Sequence, residues 1–187
     1  TLERSAPSPR LPAWPVTQPM SLESHKKESS NSVRFAVVTL SDTRQLKEDR
    51  GGSYLVECLE AAGHRVTLRL LRTDEPAEIE AAVRQAVAAK DVDLVLTTGG
   101  TGLAPRDATY ETLKHVLDSE IPGFGELFRA LSYEEIGPAT ILSRAIGGLL
   151  NGKVVLAMPG SPKALRLAMD KIVLPEAGHL ASQTRGA

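Results

Sequence analysis

Between Val33 and the end of the chain, short strand-like runs alternate with stretches of helical period, and this alternation restricts the fold more than any other property of the sequence. Val33–Leu40 is almost continuously apolar and rich in β-branched residues, as a strand buried on both faces must be. Tyr54, Leu55, Cys58, Leu59 and Ala62 then fall on one helical stripe, which Gly63 closes with a left-handed cap. Arg65–Leu71 reads as the next strand. Pro76, preceded by acidic residues, opens a helix whose buried stripe is Ile79, Ala82, Val83, Ala86 and Val87. Asp93–Thr98 is a third strand. Helical stretches over Thr109–Asp118 and Gly123–Glu135, a segment Pro138–Ala145, a Gly147-Gly148 turn and the strand Lys153–Met158 follow. Ser161 and Pro162 supply the N-cap and first turn of a last helix carrying Leu165, Leu167, Ala168 and Ile172. The expected fold is therefore α/β, a three-layer α/β/α arrangement with a mostly parallel sheet and helices on both faces.

The alternation covers only part of the 187 residues. Residues 1–32 hold five of the twelve prolines, seven serines and none of the fifteen glycines, so they read as a flexible Pro/Ser-rich leader ahead of one domain over 33–187. Met20 stands shortly before the first strand; if the natural chain starts there, its intact mass lacks residues 1–19. The leader carries four basic and three acidic residues, which leaves 18 basic against 20 acidic in the domain, no balance for a nucleic-acid binder. No apolar run approaches the length of a membrane span or a secretory signal. One cysteine, Cys58, excludes an intrachain disulfide and any multi-thiolate zinc site, and a reducing cytoplasm is the expected location.

In sheets of this kind ligands bind beyond the carboxyl ends of the strands, at the loops after Leu40, Leu71, Thr98 and Met158. Thr97-Thr98-Gly99-Gly100-Thr101-Gly102 puts three glycines at a strand end, where positive φ turns backbone N–H groups inward as an anion nest, or simply makes a sharp turn. It matches neither the dinucleotide nor the P-loop fingerprint, since Pro105 falls where a third Rossmann glycine belongs and no Gly-Lys-Ser/Thr follows. Gly160-Ser161-Pro162-Lys163 is a helix start whose free N–H groups and lysine favour an anion, although a bare Ser-Pro start looks the same. Asp74 and Asp107 each precede a helix, as an N-cap or as one of two convergent carboxylates able to hold Mg²⁺ beside a phosphate. Ser41-Asp42 points into the same crevice or forms a turn. Arg44, Arg50, Arg106 and Arg144 are loop or element-end candidates for anion contact, or else solvated surface charges. The four histidines show no zinc spacing, and no Gly-x-Ser-x-Gly elbow anchors an acyl-transfer nucleophile.

Five segments taken in order carry a resemblance. They are Thr39-Leu40-Ser41-Asp42, Thr98–Gly102 with Arg106-Asp107, Pro122-Gly123-Phe124-Gly125-Glu126, Ile141-Leu142-Ser143-Arg144 and Met158-Pro159-Gly160-Ser161-Pro162-Lys163. Over roughly residues 33–182 the chain resembles the MoaB/MogA family of molybdenum cofactor biosynthesis. The stretch Glu126–Arg129 through Ser132–Pro138 looks more like the MoaB branch. The resemblance implies a molybdopterin-binding, MogA-like fold, a homotrimer or homohexamer, and transfer of AMP from Mg-ATP to the terminal phosphate of molybdopterin with release of pyrophosphate. It assigns Asp74 and Asp107 to catalysis and Mg²⁺, and Ser41, Asp42, Thr98, Gly99, Gly100, Thr101, Gly102, Gly160, Ser161 and Lys163 to substrate binding. Where many relatives have Asp-x-Ser-Gly, this chain reads Asp49-Arg50-Gly51-Gly52, one hydroxyl donor fewer. A second expectation is a non-catalytic molybdopterin-binding or scaffold protein of the same fold; a third, an unrelated anion-binding domain, leaves five ordered motifs to chance.

Overall fold

The computed structural model describes residues 32–42 and 48–184. The leader apart from Ser32, with Met20, and the loop cation Arg44 lie outside the described residues. Six strands, β1 (Arg34–Leu40), β2 (Arg65–Arg72), β3 (Leu94–Thr98), β4 (Ser119–Glu120), β5 (Ile146–Leu150) and β6 (Lys153–Met158), form one sheet in the order β2-β1-β3-β6-β5-β4. β2, β1, β3 and β6 run parallel, and the β5–β4 edge joins them antiparallel. Helices α1 (Arg50–Ala61), α2 (Pro76–Ala88), α3 (Thr109–Val116), α4 (Pro122–Ile136), α5 (Pro162–Ala168) and α6 (Leu174–Thr184) cover it. A 3₁₀ turn, Gly137–Leu142, follows α4, and a π-helical turn, Met169–Val173, joins α5 to α6.

The side-chain alternation of the strands creates the three layers. Phe35, Val37, Leu94, Leu96, Leu156 and Met158 point to one face, where α1, α4, α5 and α6 bring Leu55, Leu59, Phe128, Leu165, Ala177 and Ala181. Ala36, Val38, Val95 and Val155 point to the other, against Ile79 and Val83 of α2 and Leu113 of α3. Cys58 packs half-buried against the first layer, a member of the α1 stripe. Gly63 has φ +84° and ends α1 as the sequence requires.

Two local expectations are corrected. Gly147-Gly148 is not a turn but the middle of β5, and the chain reverses instead at Asn151-Gly152, both with positive φ. The reason is close approach: a Cβ at Gly147 would lie 2.8 Å from Leu156 Cδ2 and 3.0 Å from Phe124 Cβ, so the glycine lets α4 settle on the sheet. Neither Asp74 nor Asp107 is an N-cap. Glu75 and Ala108 occupy those positions without a side-chain cap bond, which leaves both aspartates available for other work. Ser161 does cap α5, accepting a hydrogen bond from the Ala164 N–H.

Candidate functional site

The parallel strands all end at one edge, and β1 connects to β2 on one side and β3 lies on the other, so the strand order reverses there and opens a crevice. A polar cleft of about 470 Å³ fills it. Its walls come from the four loops singled out by the sequence: Ser41 and Asp42 after β1, Asp74 after β2, Gly99 to Gly102 with Arg106 and Asp107 after β3, and Pro159 to Pro162 after β6. Ser41 is fixed by donating its N–H to the Arg72 carbonyl at 2.8 Å, and Asp42 accepts the Asp74 N–H at 2.9 Å, which ties the first two loops together.

The glycine loop is held open by its neighbours. Gly99 and Gly100 have φ of +106° and +62°. The Gly99 N–H donates to the Met158 carbonyl, the Gly99 carbonyl accepts the Thr109 hydroxyl, and the Gly100 carbonyl accepts the Thr109 N–H. Among the described residues, the N–H groups of Gly100, Thr101 and Gly102 donate no hydrogen bond, as an anion nest requires. Both aspartates lie against this loop. A Cβ at Gly100 would come within 2.8 Å of Asp74 Oδ1, and one at Gly102 within 2.6 Å of Asp107 Oδ2. Asp107 also accepts the Ala104 N–H at 3.0 Å, so its carboxylate shapes the outer half of the loop.

Burial, reinforced by the neighbouring Asp42 and Asp107 carboxylates, pushes the Asp74 carboxyl above its ordinary value, and a backbone hydrogen bond at Asp42 and the Arg106 charge offset only part of this. Asp74 Oδ1 is buried and has no hydrogen-bond partner among the described residues. Such an oxygen, desolvated amid like charges, is poised for a cation. Among the described residues no three His, Cys, Asp or Glu side chains converge as a metal cage. A Mg²⁺ that keeps waters and takes phosphate oxygens needs only one or two carboxylates, and Asp74 and Asp107 supply that number.

Two sequence candidates sit apart from the cleft. Thr98 is the last residue of β3, buried beneath Gly160, with its hydroxyl unpartnered among the described residues. Lys163 faces a separate, mostly apolar recess of about 250 Å³ behind Thr101, Gly102, Pro159 and Ser161, the residues that both cavities share.

Sequence reasoning passed over three contributions. Arg144 is not an anion contact: its guanidinium donates to the Gly102 carbonyl, to the Asp107 carbonyl at 2.9 Å and to the Thr101 carbonyl at 3.4 Å, pairs with Glu111, and lies over the Tyr110 ring. It clamps the loop from behind. Asp49 is fully buried, caps α1 through the Gly52 N–H, accepts the Thr39 hydroxyl at 2.8 Å and pairs with Arg69 at 3.0 Å. Burial opposes its ionisation, but Gly52, Thr39 and Arg69 together hold its carboxyl below the ordinary range. Its signal was present in the sequence, an aspartate just before Gly-Gly at a helix start. The apolar recess drew on α4 and the Leu142-Ser143 segment, which periodicity marks only as helix and loop.

Comparison with known proteins identifies the family and the fold. A family profile described as "Probable molybdopterin binding domain" matches residues 36–179. Molybdenum cofactor biosynthesis protein B of Halalkalibacterium halodurans is 48% identical over 162 residues, covering 86% of this chain and 95% of the relative. A crystal structure of a molybdenum cofactor biosynthesis protein B superposes with a TM-score of 0.81 at 49% identity, covering 83% of this chain and 98% of the other. The tungsten cofactor synthesizing protein MoaB from Pyrococcus furiosus superposes with a TM-score of 0.75 at 34% identity, covering 84% and 99%. The chain belongs to the MoaB/MogA family of molybdenum cofactor biosynthesis proteins.

Proposed function

We propose that this chain serves molybdenum cofactor biosynthesis by transferring AMP from Mg-ATP to the terminal phosphate of molybdopterin. The observation that carries the reading is the placement of Asp74 and Asp107 against one glycine loop, in one acidic cleft with unspent backbone donors. In the reaction a phosphate oxygen of molybdopterin attacks the α-phosphorus of ATP, the bond to the β,γ-unit breaks, and pyrophosphate leaves with the electron pair. Two polyanions must meet, so positioning and charge neutralisation supply nearly all the catalysis and no covalent nucleophile is required. Bound Mg²⁺ supplies the countercharge for the phosphates. The protein's share is to hold that charge on Asp74 and Asp107, to donate from Gly100, Thr101 and Gly102, and to present Arg106 at the rim. Arg144, turned to the back of the loop, keeps those donors in register.

The test is pyrophosphate release with molybdopterin, ATP and Mg²⁺. Asp107→Ala is expected to lower the rate on the order of 10²–10³-fold, the scale of one preorganised electrostatic contributor. A parent protein that binds molybdopterin yet releases no pyrophosphate overturns the reading in favour of a binding or scaffold role. We further place the active form as a homotrimer or homohexamer, and its lone thiol, Cys58, in a reducing cytoplasm.

A further inference from the structure

The function proposed above makes no use of the leader, yet the leader's prolines are not scattered. Pro9, Pro12 and Pro15 recur at every third residue. Three residues make one turn of the polyproline II helix, so in that conformation the three rings share one edge. Leu11 and Trp14, also three apart, share the next edge. Proline presets φ near the polyproline II value and has no N–H to satisfy, so such a segment gives up little entropy on docking and asks its receptor for ring contacts and carbonyl partners. The family match begins at residue 36, and this pattern stands outside it.

A groove with an aromatic wall is the usual receptor for such a segment, and one of about 510 Å³ lies between the start of α1 and α5. Tyr54, Pro162 and Leu165 supply its apolar surface, and Arg50 and Arg166, both exposed, stand beside them. Neither guanidinium makes a hydrogen bond or an ion pair among the described residues. The other end of α1 meets the start of β1, where the Val33 N–H donates to His64 Nδ1 at 3.3 Å. The leader therefore joins the domain one helix length from the groove. The 12 residues of α1 measure about 18 Å. Residues 16–32 reach at most about 56 Å, and a tether of that length has an r.m.s. span of about 20–25 Å. Span and tether match, which gives an effective concentration in the millimolar range. We infer that residues 8–17 of this chain's own leader dock in that groove as a polyproline II segment, with Pro12 and Pro15 against Tyr54 and the Trp14 indole against Arg50 and Arg166. Among aromatic side chains the indole face is the best partner for a guanidinium. Gly160 and Pro162 line the acidic cleft as well as the groove, so the docked leader stands at the cleft's rim.

Trp14 is the only tryptophan, so the indole fluorescence of the full chain reports this segment alone. The measurement is acrylamide quenching, with a synthetic peptide of residues 8–17 as the undocked reference. A millimolar effective concentration fills a groove of submillimolar affinity, so the quenching constant is expected to fall roughly threefold or more below the peptide's, with emission shifted to the blue. Two full-chain variants are expected to bring quenching back toward the peptide's value. One is Arg50→Glu with Arg166→Glu, which changes exposed side chains only, and circular dichroism checks its fold. The other is Pro12→Gly with Pro15→Gly, which breaks the proline period and leaves the domain untouched. Ile141→Glu, on the exposed 3₁₀ turn, is expected to leave quenching as in the parent. A parent quenched as readily as the peptide overturns the docking. Shielding that survives the paired arginine variant, or that Ile141→Glu removes, overturns it by seating the leader elsewhere. Shielding that falls away on dilution overturns it too, because the segment then sits in the groove of a second copy.

Discussion

Asp74 and Asp49 stand some distance apart at the same edge of the sheet and answer to pH in opposite senses. Burial and its acidic neighbours raise Asp74, so its protonated form is favoured by folding. Its contribution is fully present below the ordinary aspartate value near 4 and is lost as pH rises through the raised folded value. Asp74→Asn is therefore expected to melt higher than the parent at pH 7 without ligand, and the difference is expected to vanish at about pH 3. The same variant is expected to lose pyrophosphate release, so differential scanning calorimetry and the activity assay should move in opposite directions. Asp49 is the converse. Its lowered carboxyl stabilises the fold above its ordinary value and loses that contribution as pH falls through the folded value. Asp49→Ala removes a cap and strands Arg69, whose side chain is 28% exposed; the expected cost is about 2–3 kcal/mol, below the full penalty for an unpaired buried charge. Urea denaturation at pH 7 measures it, and the gap to the parent is expected to close in acid.

At the scale of elements, the glycine loop is only as well placed as its supports. Arg144 reaches it from the segment before β5 and forks onto three of its carbonyls, a geometry that a lysine ammonium does not reproduce. Arg144→Lys is expected to weaken Mg-ATP binding roughly tenfold, the worth of one lost bond to a charged donor, with little change in melting temperature; isothermal titration reads the first and calorimetric melting the second. Gly100→Ala is more severe. It sets a Cβ 2.3 Å from the Thr109 hydroxyl at a φ of +62°, so turnover is expected to fall at least tenfold through a displaced Asp74. These supports also mark how far the sequence is legible. Strand runs and glycine-ended helices are local patterns, and β1, β6 and α1 appear where period and capping place them. The four loops of the cleft are legible too, because topology sends every parallel strand's carboxyl end to one edge. Gly147 and Arg144 are not. Their roles depend on the partner 9 or 43 residues away, Leu156 in one case and Thr101 in the other, and no local period encodes such pairings. The recess escapes for the same reason, since α4 and α5 meet only in the folded chain.

At the scale of the whole molecule, an exposed apolar surface borders the recess, which Ile136 and Leu142 also line, and extends past it through residues that line neither cavity. Leu127, Tyr133 and Ile136 of α4 and Ile141 and Leu142 of the 3₁₀ turn are exposed, Ile141 to 84%. With six aromatic residues beyond the leader, an interface here has to be mainly aliphatic. Size exclusion with light scattering is expected to give three or six copies, and Ile141→Glu is expected to shift the population to smaller species; a monomeric parent removes the inference. The sheet itself gives the molecule two unlike ends. Every loop of the cleft lies at the carboxyl edge of the parallel strands, while the β5–β6 reversal at Asn151-Gly152 projects exposed from the opposite one. That turn is consequently a handle: a tether or dye inserted between Asn151 and Gly152 would immobilise the protein with its working rim facing the solution, and ligand capture could then be followed on a sensor surface.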